Sequence, residues 1–230
     1  MGVKLLALDT STEACSAALW LDGEVVERHA LIPSDHGRHV LSMANGLLEE
    51  AGLSLKALDA LAFGRGPGSF TGVRIATGVI QGLALGLDLP VIPVSTLAAL
   101  ARGAYREHGR TSLLTAIDAR MNEVYWGCYR IRGEGDAVLE GEEAVSSPRS
   151  VTVPEGGGWW GVGSGWPAYG EFLCERLGAR LEGYSGEHYP HAVDIAALAV
   201  PALRAGNSVA VDDIAPVYLR DQVVRTTPRD

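Results

Sequence analysis

Leu5-Leu6-Ala7-Leu8-Asp9 and Leu114-Thr115-Ala116-Ile117-Asp118 share one pattern, an apolar run closed by an aspartate, and they stand half the chain apart. Each run suits a buried strand and is too short for a helix. Behind each comes a second apolar segment (15–21; 124–131), then a turn (Asp22-Gly23; Arg132-Gly133-Glu134-Gly135) and a third strand. Asp-Gly between alternating segments is a strong hairpin signal. The first half therefore reads as strands over 3–9, 15–21 and 24–31. A helix over 38–51 follows, capped by Ser34 or Asp35 and stopped by Gly52, then a strand over 58–63. Next come a helix capped by Ser69, a strand over 90–94 and a helix opened by Ser95. The second half adds helices over 168–177 and 194–204. Two copies of strand-strand-strand-helix-strand-helix imply an α/β chain of two domains, each a mixed sheet with helices packed on it, and a cleft between them. The expected division is 1–108, carrying the partner-binding helices, and 109–230, whose last segment packs back on the first domain. The stretch 146–158, rich in Pro, Gly and Ser, reads as a surface excursion.

The chain has 230 residues, 47% hydrophobic and 20% charged, enough for roughly 70% of its surface to be buried. No uninterrupted apolar run approaches the 18 or more residues of a membrane span. Cys15, Cys128 and Cys174 are odd in number and far apart, which offers no disulfide framework and suits a reducing cytoplasm. With 28 Asp plus Glu against 19 Lys plus Arg, the formal charge is −9. Such a chain is poorly suited to hold a polyphosphate alone, because Lys and Arg supply most non-specific nucleic-acid affinity. Any RNA-linked role needs a basic partner.

Asp9 and Asp118 at strand ends could face one cleft and hold Mg²⁺ beside nucleotide phosphates, with Thr10-Ser11-Thr12 as the phosphate turn. The competing reading is that Asp, Thr and Ser simply make turns there. Gly64-Arg65-Gly66-Pro67-Gly68-Ser69 resembles a phosphate cradle but has neither the Gly-Lys-Ser/Thr of a P-loop nor the dinucleotide-binding glycine spacing. Gly161-Val162-Gly163-Ser164-Gly165 could let a backbone approach an adenosine, and so could any tight strand-to-helix turn. His36 with His39, and His188 with His191, offer pairs of metal ligands without a third; solvated surface histidine is the favoured reading. No nucleophile elbow is present, and the cysteines lack an activating context.

The helix beginning at Phe70 is the most informative segment. At helical spacing Val73, Ala76, Ile80, Leu83 and Leu87 form one stripe, and Ile75, Gly78, Val79, Gly82 and Gly86 form a second. Only Arg74, Thr77 and Gln81 make a polar sliver. A surface helix needs one apolar face, and this one has nearly two. Each interior Gly costs roughly 1 kcal/mol relative to Ala, which close approach by another helix would offset. Either this helix is enclosed within its own chain, or it forms a protein–protein seam with the helix over 38–51. In that seam Leu41, Ala44 and Leu48 would join Ile75, Gly78, Val79, Gly82 and Gly86 in a four-helix bundle with a partner.

Asp9-Thr10-Ser11-Thr12, Gly66-Pro67-Gly68-Ser69-Phe70-Thr71-Gly72-Val73-Arg74, the segment Pro90-Val91-Ile92-Pro93-Val94-Ser95, Asp118-Ala119-Arg120 and Pro216-Val217-Tyr218-Leu219-Arg220 together resemble the bacterial TsaB (YeaZ) family, across essentially the whole chain. The resemblance implies two tandem actin-like (RNase H-like) domains. It also implies a part in making threonylcarbamoyladenosine next to the anticodon of tRNAs that read codons beginning with A. In that family the chain is a non-catalytic partner of the paralogue TsaD, which transfers the threonylcarbamoyl group from threonylcarbamoyl-AMP, with the ATPase TsaE as third component. The resemblance implies no cofactor, a possible homodimer in isolation, tRNA contact only through the complex, and a partner seam on the two helices above. TsaD carries a metal-binding His-x-x-x-His on the helix after its Pro-x-x-x-Val strand; Thr96 and Leu100 occupy those places here, and leucine cannot bind a metal. Asp9, Thr10, Ser11, Asp118 and Gly163 would then be a degenerate nucleotide site, with no catalytic residue and no metal. Two other readings are an active Mg-ATP-dependent enzyme of the same fold and a metal-dependent glycopeptidase.

Overall fold

A computed structural model describes residues 2–32 and 34–220. The first sheet contains β1 (Lys4–Asp9), β2 (Ala14–Leu21), β3 (Glu24–Leu31), β4 (Ala60–Gly64) and β5 (Val91–Val94), in the order β3-β2-β1-β4-β5. β1, β2 and β3 are antiparallel, whereas β4 and β5 run parallel to β1. The Asp22-Gly23 turn has positive φ at both residues, 55° and 108°, as a two-residue hairpin with the sheet's own twist requires. Parallel neighbours need crossovers, and α2 (Phe70–Leu87) supplies the one from β4 to β5.

β1 is apolar throughout because both faces are covered. Leu6 and Leu8 face α1 (His36–Glu50) and α2, while Leu5 and Ala7 face α5 (Ala192–Arg204), a helix from the far end of the chain. Asp35, expected as a cap, precedes α1 in the left-handed region (φ 64°) and makes no side-chain capping bond. Ser69 caps α2 by accepting from Gly72 N, and Ser95 caps α3 (Thr96–His108) by accepting from Leu97 N and Ala98 N.

The second sheet repeats the order of the first. β6 (Ser112–Asp118), β7 (Val124–Arg132), β8 (Asp136–Leu139), β10 (Trp159–Val162) and β11 (Leu181–Ser185) are arranged β11-β10-β6-β7-β8, with β9 (Ala144–Ser146) paired to β7. α4 (Gly165–Leu177) covers one face and α3 the other. The expected second half, three strands then helix, strand, helix, needs correction. No helix stands in the place of α1; β9 and an extended stretch fill it, and β10 precedes α4. That stretch is more than a surface excursion, because Val151 is fully buried and Trp126 Nε1 donates to Thr152 O at 3.1 Å.

Eighteen residues long with mean hydropathy 1.3, α2 is the one described helix long and apolar enough to cross a membrane, a length that counting uninterrupted runs overlooked. Its inner residues Val73, Ala76, Ile80 and Ala84 pack into the core of the first lobe.

Candidate functional site

Between the lobes lies a cleft of about 540 Å³, lined by Ser11, Ser69, Phe70, Asp118, Tyr218 and Arg220 among others. Two of the five sequence-expected nucleotide residues, Ser11 and Asp118, reach its wall; Asp9, Thr10 and Gly163 stand behind it. Asp9 is fully buried, with Oδ1 accepting from Ser11 N at 3.0 Å and Ser11 Oγ at 2.8 Å. Burial pushes its carboxyl up to about 7, and the two Ser11 hydrogen bonds only partly oppose this. The carboxylate lies against Gly64, where a Cβ would overlap Oδ2. The pairing of Asp9 and Asp118 across one cleft is therefore not what the fold builds.

Two N–H groups and two carbonyls of the glycine-rich loop are bonded within the chain. Arg65 N donates to Val94 O at 2.8 Å, Arg65 O accepts from Val217 N at 2.8 Å, and Gly66 O accepts from Thr96 N at 3.0 Å. Ser69 N donates to Ser11 O at 2.7 Å, and Thr10 Oγ1 donates to Gly72 O at 2.6 Å. A Cβ at Gly68 or Gly72 would collide with the carbonyls of Ser11 or Thr10. These glycines let α2 close on the 10–12 turn, where a phosphate cradle would instead leave N–H groups pointing into open space. Gly163, at φ 107°, is pressed against Ala116 O in the same way.

Asp118 is held by Arg120, whose N donates to Oδ1 at 2.8 Å and whose Nη1 meets Oδ2 at 2.9 Å, and by Tyr169 OH at 3.3 Å. Among the described residues, both arginines lining the cleft are paired: Arg120 with Asp118 and Glu13, Arg220 with Glu123. Polyphosphate would have to break these pairs.

The α1–α2 surface is different in kind. Gly78, Gly82 and Gly86 lie on the exposed face of α2, and among the described residues a Cβ at any of them would meet nothing within 4 Å. Leu85 beside them is 76% exposed, and Leu41 on α1 is 42% exposed. Ile75 and Val79 are half-buried at the edge of this face. Ala44 and Leu48, expected in the seam, are each only 4% exposed: they belong to the core under α1 and hold the helix down. Thr77, expected in the polar sliver, is buried and donates to Val73 O at 2.8 Å.

The histidines need correcting too. His39 is exposed and His36 is half-buried, with Nε2 3.1 Å from Thr12 O. His188 is buried, and His191 stacks on His29 at 4.0 Å with Nδ1 2.8 Å from Glu27. Burial pushes the Cys15 and Cys128 thiols up to about 12 and about 11, so neither is an activated nucleophile; Cys174 is exposed. Thr96 and Leu100 are wholly buried, and Thr96 Oγ1 has no hydrogen-bond partner among the described residues. Sequence reasoning missed Glu143, which joins Ser95 Oγ and Tyr129 OH and stands 3.9 Å from Arg65, tying the lobes together. Within Glu140-Gly141-Glu142-Glu143 nothing distinguishes it from a solvated acidic run.

A family model described as TsaD, tRNA N6-adenosine threonylcarbamoyltransferase, matches residues 30–163. The tRNA threonylcarbamoyladenosine biosynthesis protein TsaB of Escherichia coli K12 is 46% identical over 225 residues, covering 96% of this chain and 96% of that protein. TsaB of Haemophilus influenzae is 40% identical over 227 residues, covering 95% and 94%. Of solved structures, a Pseudomonas aeruginosa protein described as similar to peptidase YeaZ superposes with TM-score 0.88 at 49% identity, over 95% of this chain and 100% of that one. A structure of YeaZ from the same organism gives 0.87 at 49% identity, over 94% and 100%.

Proposed function

The chain belongs to the TsaB family and takes part in tRNA threonylcarbamoyladenosine biosynthesis; from that premise we propose that it serves there as a non-catalytic subunit gripping a TsaD-type transferase. In this reading the partner moves the threonylcarbamoyl group from threonylcarbamoyl-AMP to the adenosine beside the anticodon, the ATPase TsaE joins as third component, and the assembly works in the cytoplasm away from membranes. The observation that carries the reading is the open glycine face of α2. Each of Gly78 and Gly82 costs the helix about 1 kcal/mol, and among the described residues no atom makes use of the space they leave. Backbone approach by a helix from another protein would offset that cost.

The TsaD family model spans α1 and α2 of this chain, so a TsaD-type partner would present a like helix pair and the two pairs would pack as a four-helix bundle. Leu41, Gly78, Gly82, Leu85 and Gly86 would form the centre of the seam, with Ile75 and Val79 at its edge. A second copy of this chain could occupy the same face in the partner's absence. A net charge of −9 leaves tRNA binding to the assembly. The inward Asp9, the self-paired loop and the buried Thr96 and Leu100 support a subunit without catalysis of its own.

The test is to mix the purified chain with a TsaD partner and measure complex mass by light scattering together with tRNA modification. Gly82→Leu should abolish both while leaving the free chain folded. Unchanged assembly would refute the seam.

A further inference from the structure

The end of α3 and the loop before α5 meet away from both the inter-lobe cleft and the exposed face of α2. There Glu107 Oε2 stands 3.3 Å from His188 Nδ1 and 3.9 Å from His108 Nε2. The donor atoms of these three residues all lie within 4.8 Å of one another. Zn²⁺ binds nitrogen and carboxylate oxygen at about 2.0–2.2 Å, so ligands at the corners of a tetrahedron stand roughly 3.4 Å apart. One edge already has that length, and a second needs half an ångström of movement by side chains that are partly exposed.

His188 supplies an independent reason to place a cation here. Its side chain is 4% exposed, and a ring with a single N–H cannot satisfy both of its nitrogens at that burial. With that proton on Nδ1, the ring donates to Glu107 and leaves Nε2 as a buried acceptor with no donor. With the proton on Nε2, the N–H faces α3 beside Gly103, on the side of the ring away from Glu107. Nδ1 then faces Glu107 Oε2 as one lone pair against another. A cation between them resolves the second arrangement, and a metal-bound histidine usually does donate its other N–H to a backbone carbonyl or carboxylate.

We propose that Glu107, His108 and His188 form a binding site for one borderline divalent cation of the Zn²⁺ class, with the fourth position open to water. Glu107 is set for this role: Arg106 engages its Oε1 at 3.0 Å, which leaves Oε2 for the metal. The C-terminal end of α3 adds carbonyl dipoles that favour positive charge. The bound ion pins the 186–191 loop to α3, at the point where the chain leaves the second sheet for α5 on the first. The role is structural and does not depend on the partner seam.

Chelator-stripped full-length protein is titrated with Zn²⁺ against a chromophoric competitor, and with Co²⁺ to read ligand-field absorption. One ion per chain with micromolar or tighter affinity, and a tetrahedral or five-coordinate Co²⁺ spectrum, is expected. His108→Ala, at a half-exposed position, should weaken binding at least tenfold and remove the zinc-dependent rise in Tm; Glu107→Gln should do the same. His39→Ala, on exposed α1, should change neither. Millimolar binding, or equal affinity in His108→Ala and the parent, overturns the site.

Discussion

Replacing Gly78 and Gly82 together by alanine should move the free protein and the complex in opposite directions. Both glycines sit in the interior of α2 with no positive φ, and no described residue fills the space beside either Cβ position. Alanine therefore meets no clash and gains the full helix propensity, about 1 kcal/mol per site and about 2 kcal/mol for the pair. For a domain of this size, 1 kcal/mol moves Tm by roughly 2–4 °C, so calorimetry on the double variant should show a rise of about 4–8 °C. In the proposed complex the same two methyl groups would fall into a close helix–helix contact, where overpacking costs about 1–3 kcal/mol. The dissociation constant for a TsaD-type partner should then rise about 5- to 150-fold. An unchanged or lower Tm would show that the glycines serve the chain's own fold. A higher Tm with undiminished affinity would mean that no partner runs along this face.

Four further outcomes test the rest. Asp9 keeps its proton to about pH 7 when folded, whereas in the unfolded chain the group titrates near 3.8. The folded state thus binds more protons between these values, so its contribution is full below pH 4, declines as pH rises to 7 and is flat above. Chemical denaturation of Asp9→Asn at pH 4 and pH 7 should accordingly lack a decline of roughly 4 kcal/mol that the parent shows. Gly72→Ala drives a methyl into the Thr10 carbonyl and should lower stability by at least about 2 kcal/mol, read as a fall in denaturation midpoint. Leu48→Ala should cost about 2–5 kcal/mol by leaving a cavity under α1, with no effect on partner affinity beyond the loss of folded protein. Asp118→Asn should leave tRNA modification by the assembled complex unchanged in a single-turnover assay.

The paired apolar runs ending in Asp9 and Asp118 carried the fold, because a strand covered on both faces is apolar at every position and cannot be mistaken for a surface segment. The hairpin at Asp22-Gly23 and the caps at Ser69 and Ser95 were legible for the same local reasons. The missing counterpart of α1 was not. The 146–158 stretch has loop composition, and Val151 is buried by tertiary packing in the cluster that holds Trp126, Trp159 and Trp166. The two faces of α2 could be drawn by angle, but not which face the sheet would take. Thr77 illustrates the limit: a hydroxyl returning to Val73 O can be buried without a tertiary partner. Asp9 was visible as a residue while its direction was not, since that depends on Gly64 on the neighbouring strand leaving space.

The placement of α5 has a consequence for biosynthesis. Strands β1 to β5 are all translated before residue 95, yet the cover over Leu5, Ala7, Ala18, Ala60 and Ala62 includes Ile195, Ala196 and Ala199. A ribosome that has finished the first sheet has made only one side of its sandwich, and the bare side must wait until residues 192–204 have been translated. Nascent chains stalled before codon 192 should accordingly be substrates for chaperones that hold apolar surface, and the sheet should resist protease only once α5 has emerged from the exit tunnel.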